Sequence, residues 1–444
     1  MKKMLRAAIT RIRGVDFERE HQEIKNINTK EELLEFQEKY LKNLLLHSYQ
    51  NVPYYHRIFK DIGILDNGTV DLSKFNEIPI LTKEIMRAHH KELISKDYKT
   101  RKWYYNSSGG STGEPTRFIQ DDLYAKWGNA AFYYWYKNIL GVNEPSVKKV
   151  ILWGSERGIF EGGVGLKAKI INWLTNIIFL NSFRMTEEDM KRHIRIINSY
   201  KPELIRGYAG SLYELCRYAE RKNMAIYTPK IVVSAAETLN NEMRKKIESV
   251  FGTKLYDYYG SRESNNLAGE CEEGLMHVLI FHNYVEVLNN HNQLVKEGEE
   301  GRVIVTNLHN YSMPLIRYEI GDIAVLGPEK CRCGNVLPTL KKVTGRITDH
   351  FVKEDGTIIS GSALTLTFNR KDWVEAFQII QEDYKNVKIL IIRKGDVNES
   401  EKIDIEGKIK FLLGQDCRII WEFVHEIPKT QSGKYLYIKS LVWR

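Results

Sequence analysis

The sequence predicts an α/β protein. It has a large N-terminal domain with mixed or parallel sheets and a β-rich subdomain, then a small α+β C-terminal domain. Three observations lead there. Short β-branched or aromatic runs alternate with helix-period segments up to Tyr258. After residue 275 the pattern turns to strands and turns, and after Gly345-Arg346 it changes again. At 444 residues the chain is also too long for one ordinary core.

Residues 30–60 read as helix, with Leu33, Leu34, Phe36, Tyr40, Leu44 and Leu45 at helical spacing. Helical patterns recur at 121–140, 186–200, 211–222 and 240–250. Between them, Lys149–Trp153, Lys230–Ser234 and Lys254–Tyr258 read as strands of a largely parallel sheet. The apolar stretch Lys169–Leu180, broken by Asn172, Thr175 and Asn176, is too short to span a bilayer and reads as a buried or interfacial helix. Beyond residue 350, strands are expected at 387–393 and 418–424 and a helix near 401–413.

The chain is 43% apolar and 28% charged, as in a soluble globular protein. The net charge of +9 is spread out, with no clustered Lys/Arg stripe and no nucleic-acid-binding module. Five cysteines, an odd number in a large chain, argue against a disulfide framework and for a reducing, cytoplasmic setting. The basic segment MKKMLRAAITRIRG does not read as a signal peptide. It could form a helix that touches an anionic membrane or one that packs on its own protein. Monomer and homodimer both stay open.

Five motifs carry chemistry. Ser107–Thr116 (SSGGSTGEPT) is rich in glycine and hydroxyls, which suits a polyphosphate cradle, although the Lys-Ser/Thr of a Walker A loop is absent. Tyr258-Tyr259-Gly260-Ser261-Arg262-Glu263 ends a strand with a ring able to stack on a base and a carboxylate able to hold magnesium. Arg317–Asp322 (RYEIGD) sets an Asp after a glycine turn, placed to accept ribose hydroxyls. Gly345–Asp349 (GRITD) sits where the composition shifts, and Pro428–Lys434 (PKTQSGK) offers one ammonium near the C-terminus. Alone, each is equally an ordinary loop, strand end or turn.

Together and in this order, the motifs resemble those of the adenylate-forming superfamily, over about Tyr105 to Lys434. Within it the chain looks most like the phenylacetate–CoA ligase family and its capsular-polysaccharide-biosynthesis, CapK-like branch. KPELIRGYAGSLYEL and MPLIRYEIGD carry that finer likeness. The resemblance implies a large adenylate-forming domain over 1–345, its β-rich subdomain at about 275–345, and a small domain over 346–444 with a hinge near 346–350. It implies that the small domain is mobile, that ATP and magnesium are cofactors and a carboxylic acid the substrate, and that an acyl-adenylate is passed to coenzyme A.

By the same resemblance, Ser108, Gly110, Ser111, Thr112 and Gly113 grip the ATP phosphates. Ala236 and Glu237 line the adenine pocket, and Tyr259, after Tyr258 and Gly260, stacks on adenine. Ser261 contacts the α-phosphate, and Glu263 ligates magnesium. Asp322 and Arg346 hold the ribose, Asp349 lies at the hinge, and Lys434 bridges α-phosphate and substrate carboxylate. The chain departs from the pattern after the hinge. FVKEDGTIISGSALT, which reads as a hairpin, stands where relatives carry a lysine and a glycine-rich turn. A sugar amine or hydroxyl, or a carrier protein, therefore stays open as acceptor. So does a catalytically silent nucleotide-binding protein of polysaccharide assembly.

Cys331-Arg332-Cys333 and the Cys271/His277 pair offer four ligands for a structural zinc, the alternative being free thiols and an unrelated histidine. The aromatics from Tyr124 to Tyr136 read as core. Arg206 and Tyr208 could face a polar or anionic acid.

Overall fold

A computed structural model describes residues 16–66, 68–107, 116–153, 172–182, 185–346, 350–354, 358–360, 364, 366–368, 371–427 and 436–442. Backbone packing divides the chain into two compact units. The large one runs to residue 343 without Gly321–Ala324, and the small one takes Gly321–Ala324 and residues from Thr344 onward.

The large unit opens with helices α1 (Glu18–Ile24), α2 (Lys30–Asn51), α3 (Pro53–Ile62) and α4 (Lys83–Ala88). A reciprocal capping box between Thr29 and Glu32 starts α2. The single helix expected over 30–60 is instead two. The ring of Pro53 forces Val52 out of the helical region, to φ −110° and ψ 107°, and Pro53 then begins α3.

Strands β1 (Trp103–Ser107) and β2 (Arg117–Asp121) form an antiparallel hairpin. Asp121 then caps α5 (Asp122–Tyr134) by accepting the Tyr124 N–H at 3.0 Å. Its other oxygen accepts the N–H groups of Tyr311 and Ser312.

The central sheet follows. Its strands are β3 (Lys149–Trp153), β4 (Ile177–Asn181), β5 (Leu204–Tyr208), β6 (Ile231–Ala235), β7 (Leu255–Ser261), β8 (Asn265–Glu270), β9 (Met276–Val278), β10 (Asn283–Leu288), β11 (Glu300–Asn307), β12 (Tyr318–Leu326) and β13 (Thr339–Arg346). Their order across the sheet is β10-β11-β12-β13-β9-β8-β7-β6-β5-β3-β4. Strands β4, β3, β5, β6 and β7 are parallel, and β7, β8, β9 and β13 are antiparallel in sequence. The strands after residue 275 thus continue the same hydrogen-bonded sheet instead of forming a second one.

One segment departs from its expected helix. Ile177–Asn181, in the run Lys169–Leu180, is strand β4, parallel to β3. Asn176 at φ 54° ends the helical turn before it, and the β-branched pair Ile177-Ile178 suits a pleated strand. Residues 169–171 lie outside the described residues.

Helices α6 (Glu187–Tyr200), α7 (Ala209–Arg221) and α8 (Asn241–Phe251) cross between the parallel strands. Val150, Leu152, Ile205, Val232 and Leu255 of the sheet pack with Ile194, Leu212, Leu215, Ile247 and Phe251 of these helices. On α5 and the turn after it, Tyr124, Trp127, Tyr134, Trp135 and Tyr136 are buried, as core aromatics should be.

In the small unit, β14 (His350–Val352) and β15 (Ile358–Ser360) form the hairpin read from FVKEDGTIIS. Strands β16 (Val374–Gln381), β17 (Asn386–Arg393), β18 (Arg418–Phe423) and β19 (Ile438–Ser440) make a sheet ordered β18-β17-β16-β19. Helix α9 (Glu399–Leu413) lays Ile405, Ile409 and Leu413 on Ile379, Ile389 and Ile391. Among the described residues, no helix is long and apolar enough to cross a membrane.

Candidate active site and metal cluster

Parallel strands point their carboxyl ends the same way, and ligands of open α/β sheets bind at that edge. Here the edge is built from Trp153, Tyr208, Ala235 and the Tyr258–Ser261 segment. The register pairs Tyr208 with Ala235 and Ala235 with Tyr258. Ala236, just past β6, holds φ at +65°, a conformation costly for a residue with a Cβ. Glu237 follows, and its Oε2 accepts the Gly210 N–H at 2.8 Å. That bond supplies the start of α7 with the cap that its own preceding residue, Tyr208, does not give.

At the end of β7 the two tyrosines diverge. Tyr258 is 8% exposed, its ring lies 4.8 Å from Trp135 and 5.0 Å from Phe132, and its hydroxyl donates to Asn266. It is packed into the core among those rings. Tyr259, next along the strand, faces the other way and is half-buried. Gly260 is required, because a Cβ there would overlap the Asn265 carbonyl. The Ser264 N–H donates to Ser261 Oγ at 3.0 Å and tightens the turn into β8.

Glu263 occupies that turn and is only 5% exposed. Its backbone carbonyl accepts from Asn307 Nδ2 at 2.9 Å and Gln120 Nε2 at 3.3 Å. Among the described residues, its carboxylate has no ion-pair partner. Buried carboxylates are ordinarily paired or bound to a metal, so this one fits a divalent cation.

Beneath the edge lies a polar network that the sequence reading missed. Asp257 is half-buried and accepts the Ser234 hydroxyl at 2.6 Å, while its own N–H donates to Glu270 Oε2 at 2.6 Å. Arg244 holds Glu270 with an N···O distance of 2.9 Å. Burial, helped by the Glu270 charge, pushes the Asp257 carboxyl up to about 6. The available signal was an aspartate inside a strand, where that residue is depleted.

The Cys/His pairs converge. The ligand atoms of Cys271, His277, Cys331 and Cys333 all lie within 4.8 Å of one another. Cys271 Sγ is 3.6 Å from Cys331 Sγ, and Cys333 Sγ is 3.2 Å from His277 Nε2. Zn–S bonds of about 2.3 Å at tetrahedral angles set S···S edges of about 3.8 Å, close to the spacing here. His277 Nδ1 donates to the Leu337 carbonyl at 3.1 Å, which leaves Nε2 as the ligand nitrogen. Burial and the neighbouring thiols push Cys333 up to about 12. Four protein donors in a largely buried site suit a structural zinc.

Comparison with known proteins agrees with this architecture. The family model described as the CapK C-terminal domain matches residues 351–441. Protein CapK of Staphylococcus aureus is 26% identical over 429 residues, covering 93% of this chain and 90% of that protein. The phenylacetate-coenzyme A ligase of Thermus thermophilus is 26% identical over 401 residues, 87% of this chain and 84% of that one. Over nearly its whole length the chain is thus similar to CapK and to the phenylacetate–CoA ligases. The fold of 2-hydroxyisobutyryl-CoA ligase, solved in its postadenylation state with 2-HIB-AMP, matches with a TM-score of 0.68 at 17% identity. That match covers 93% of this chain and 89% of that one.

Of the residues expected at the nucleotide site, Ala236 and Glu237 follow β6, and Tyr259, Gly260, Ser261 and Glu263 lie at the end of the neighbouring β7 and in the turn after it. Asp322 is buried within β12, in the segment that groups with the small unit. Arg346 ends β13, its side chain outside the described residues. Ser108, Gly110, Ser111, Thr112, Gly113, Asp349 and Lys434 lie outside them altogether, as does the basic segment 1–15.

Proposed function

We propose that this protein is an AMP-forming acid ligase. ATP and a carboxylic acid give an acyl-adenylate and pyrophosphate, and the acyl group is then transferred to coenzyme A. In the first step a carboxylate oxygen bonds to the α-phosphorus as the bond to pyrophosphate breaks. Both reactants are anionic, so the site must supply positive charge where they meet. Glu263 would hold magnesium, which neutralises phosphate charge. Lys434 would neutralise the approaching carboxylate and the α-phosphate. Ser108, Gly110, Ser111, Thr112 and Gly113 would cradle the outer phosphates. Ala236, Glu237 and Tyr259 would line the adenine site, and Asp322 and Arg346 would hold the ribose.

The observation that carries this reading is Glu263. It is a buried carboxylate with no cation partner among the described residues, set in the turn that ends the last parallel strand. The names of the full-length relatives support it. ATP–pyrophosphate exchange across aryl, fatty, amino and hydroxy acids tests it. Exchange with at least one acid is expected. A protein that binds ATP yet exchanges with none would be a silent nucleotide-binding protein of polysaccharide assembly.

A second acceptor is favoured by one observation. The β14–β15 hairpin stands where the resemblance leads one to expect a lysine and a glycine-rich turn. Transfer to a sugar amine or hydroxyl, or to a carrier protein, in cell-surface polysaccharide synthesis accounts for that change. Release of AMP stimulated by coenzyme A would decide for the thiol. We further assign a structural zinc to Cys271, His277, Cys331 and Cys333. Five unpaired cysteines support a reducing, cytoplasmic setting.

A further inference from the structure

The carboxyl edge of β3 and β5 holds a guanidinium for which the described residues provide no counter-charge. Arg206 and Tyr208 share one face of β5, and Arg206 pairs with Ile151 of β3 and Val233 of β6. The guanidinium carbon lies 5.2 Å from the Phe132 ring centre and 6.0 Å from that of Trp153. Trp153 and Tyr208 stand 4.3 Å apart, so three aromatic rings wall one side. The Arg206 Nε is buried without a hydrogen-bond partner. Among the described residues no carboxylate lies within ion-pair distance of it.

Aromatic faces attract a guanidinium but do not replace an anion, and a buried orphan donor is costly. The position also matters. Arg206 sits two residues in from the end of β5, about 6.6 Å deeper than Tyr208 at 3.3 Å per residue. It therefore lies below the strand ends on the same face as Tyr208, two strands along the edge from Tyr259.

We propose that Arg206 is a specificity residue that binds a second carboxylate of the acid substrate, at the end remote from the carboxyl that is adenylated. A planar guanidinium matches a carboxylate in bidentate fashion. The body of such a dicarboxylic acid would run past Trp153 and Tyr208. This rests on the adenylating reading above and names the substrate class for that same site.

The test is ATP–pyrophosphate exchange with matched acids, succinate against butanoate and isophthalate against benzoate, for wild type, Arg206→Leu and Arg206→Lys. Wild type should favour the dicarboxylate of a pair. Arg206→Leu should lower kcat/KM for it by about 10²-fold, mainly through KM, and turn the preference towards the monocarboxylate. Arg206→Lys should fall between the two and serves also if the leucine variant does not fold. Wild-type exchange that favours monocarboxylates, with the substituted proteins showing the same preference, would overturn the inference while leaving adenylation intact. Exchange with no acid would remove both.

Discussion

His277 Nε2 lies 3.2 Å from Cys333 Sγ, although 56 positions separate them. They meet because β9 pairs with β8 on one side, setting His277 opposite Gly269, and with β13 on the other, setting it opposite Thr339. Cys271 leaves β8, and Cys331 and Cys333 sit in the turn that leads into β13. Two strand pairings thus converge on one set of four donors.

The purified protein is expected to carry one zinc per chain by metal analysis. Cys333→Ser should lower zinc affinity by more than the roughly 10–100-fold that loss of an outer-shell partner costs. Stripping the metal should lower the thermal midpoint of the large unit, and added zinc should restore it. Full stability in metal-free protein would refute the assignment.

Asp257 should make stability depend on pH. Its folded pKa, about 6, lies above the ordinary 3.8, so its stabilising contribution is full below about 3.8 and is lost as pH rises through 6. Asp257→Asn cannot titrate. Between pH 5 and pH 7.5 the variant should gain about 1.4 kcal/mol on wild type, the part of the shift that remains at pH 5. Denaturant midpoints at the two values measure it. A gap that does not change with pH would show that Asp257 titrates normally.

Glu263→Gln should separate chemistry from folding. The contacts that fix the turn run through the Glu263 backbone carbonyl, which the substitution keeps. Exchange should fall by about 10²–10³-fold, as for other groups that stabilise the transition state. The melting temperature should stay level or rise, because a buried charge is removed. Lys434→Ala should abolish adenylation with the fold intact, and equal exchange rates in mutant and wild type would refute that role.

Gly269→Ala should destabilise the protein by about 1–3 kcal/mol, the usual cost of overpacking. A Cβ at Gly269 would overlap the Trp135 ring, whose Nε1 donates to the Glu270 carbonyl at 3.0 Å. Gly269 also pairs with His277, so zinc content should fall together with the denaturation midpoint. An unchanged midpoint would mean that the ring moves aside freely.

Local pattern determined much of this protein by itself. The strands around Val150, Val232 and Tyr256 and the helices starting near Glu187 and Asn241 were legible because period and capping act between neighbours in sequence. The ordered glycine-rich, YGSRE and RYEIGD motifs were legible for the same reason, as were the three cysteines and the histidine of the cluster as residue types. Only tertiary structure decided the rest. It made Ile177–Asn181 a strand, because β3 offers an open edge that a local reading cannot see. It sent Tyr258 to the core and Tyr259 to the other face, since register alternates sides. It left the Glu263 carboxylate and the Arg206 guanidinium without charge partners among the described residues. Such burial arises only when strands distant in sequence close around a side chain and exclude the water that would otherwise solvate it.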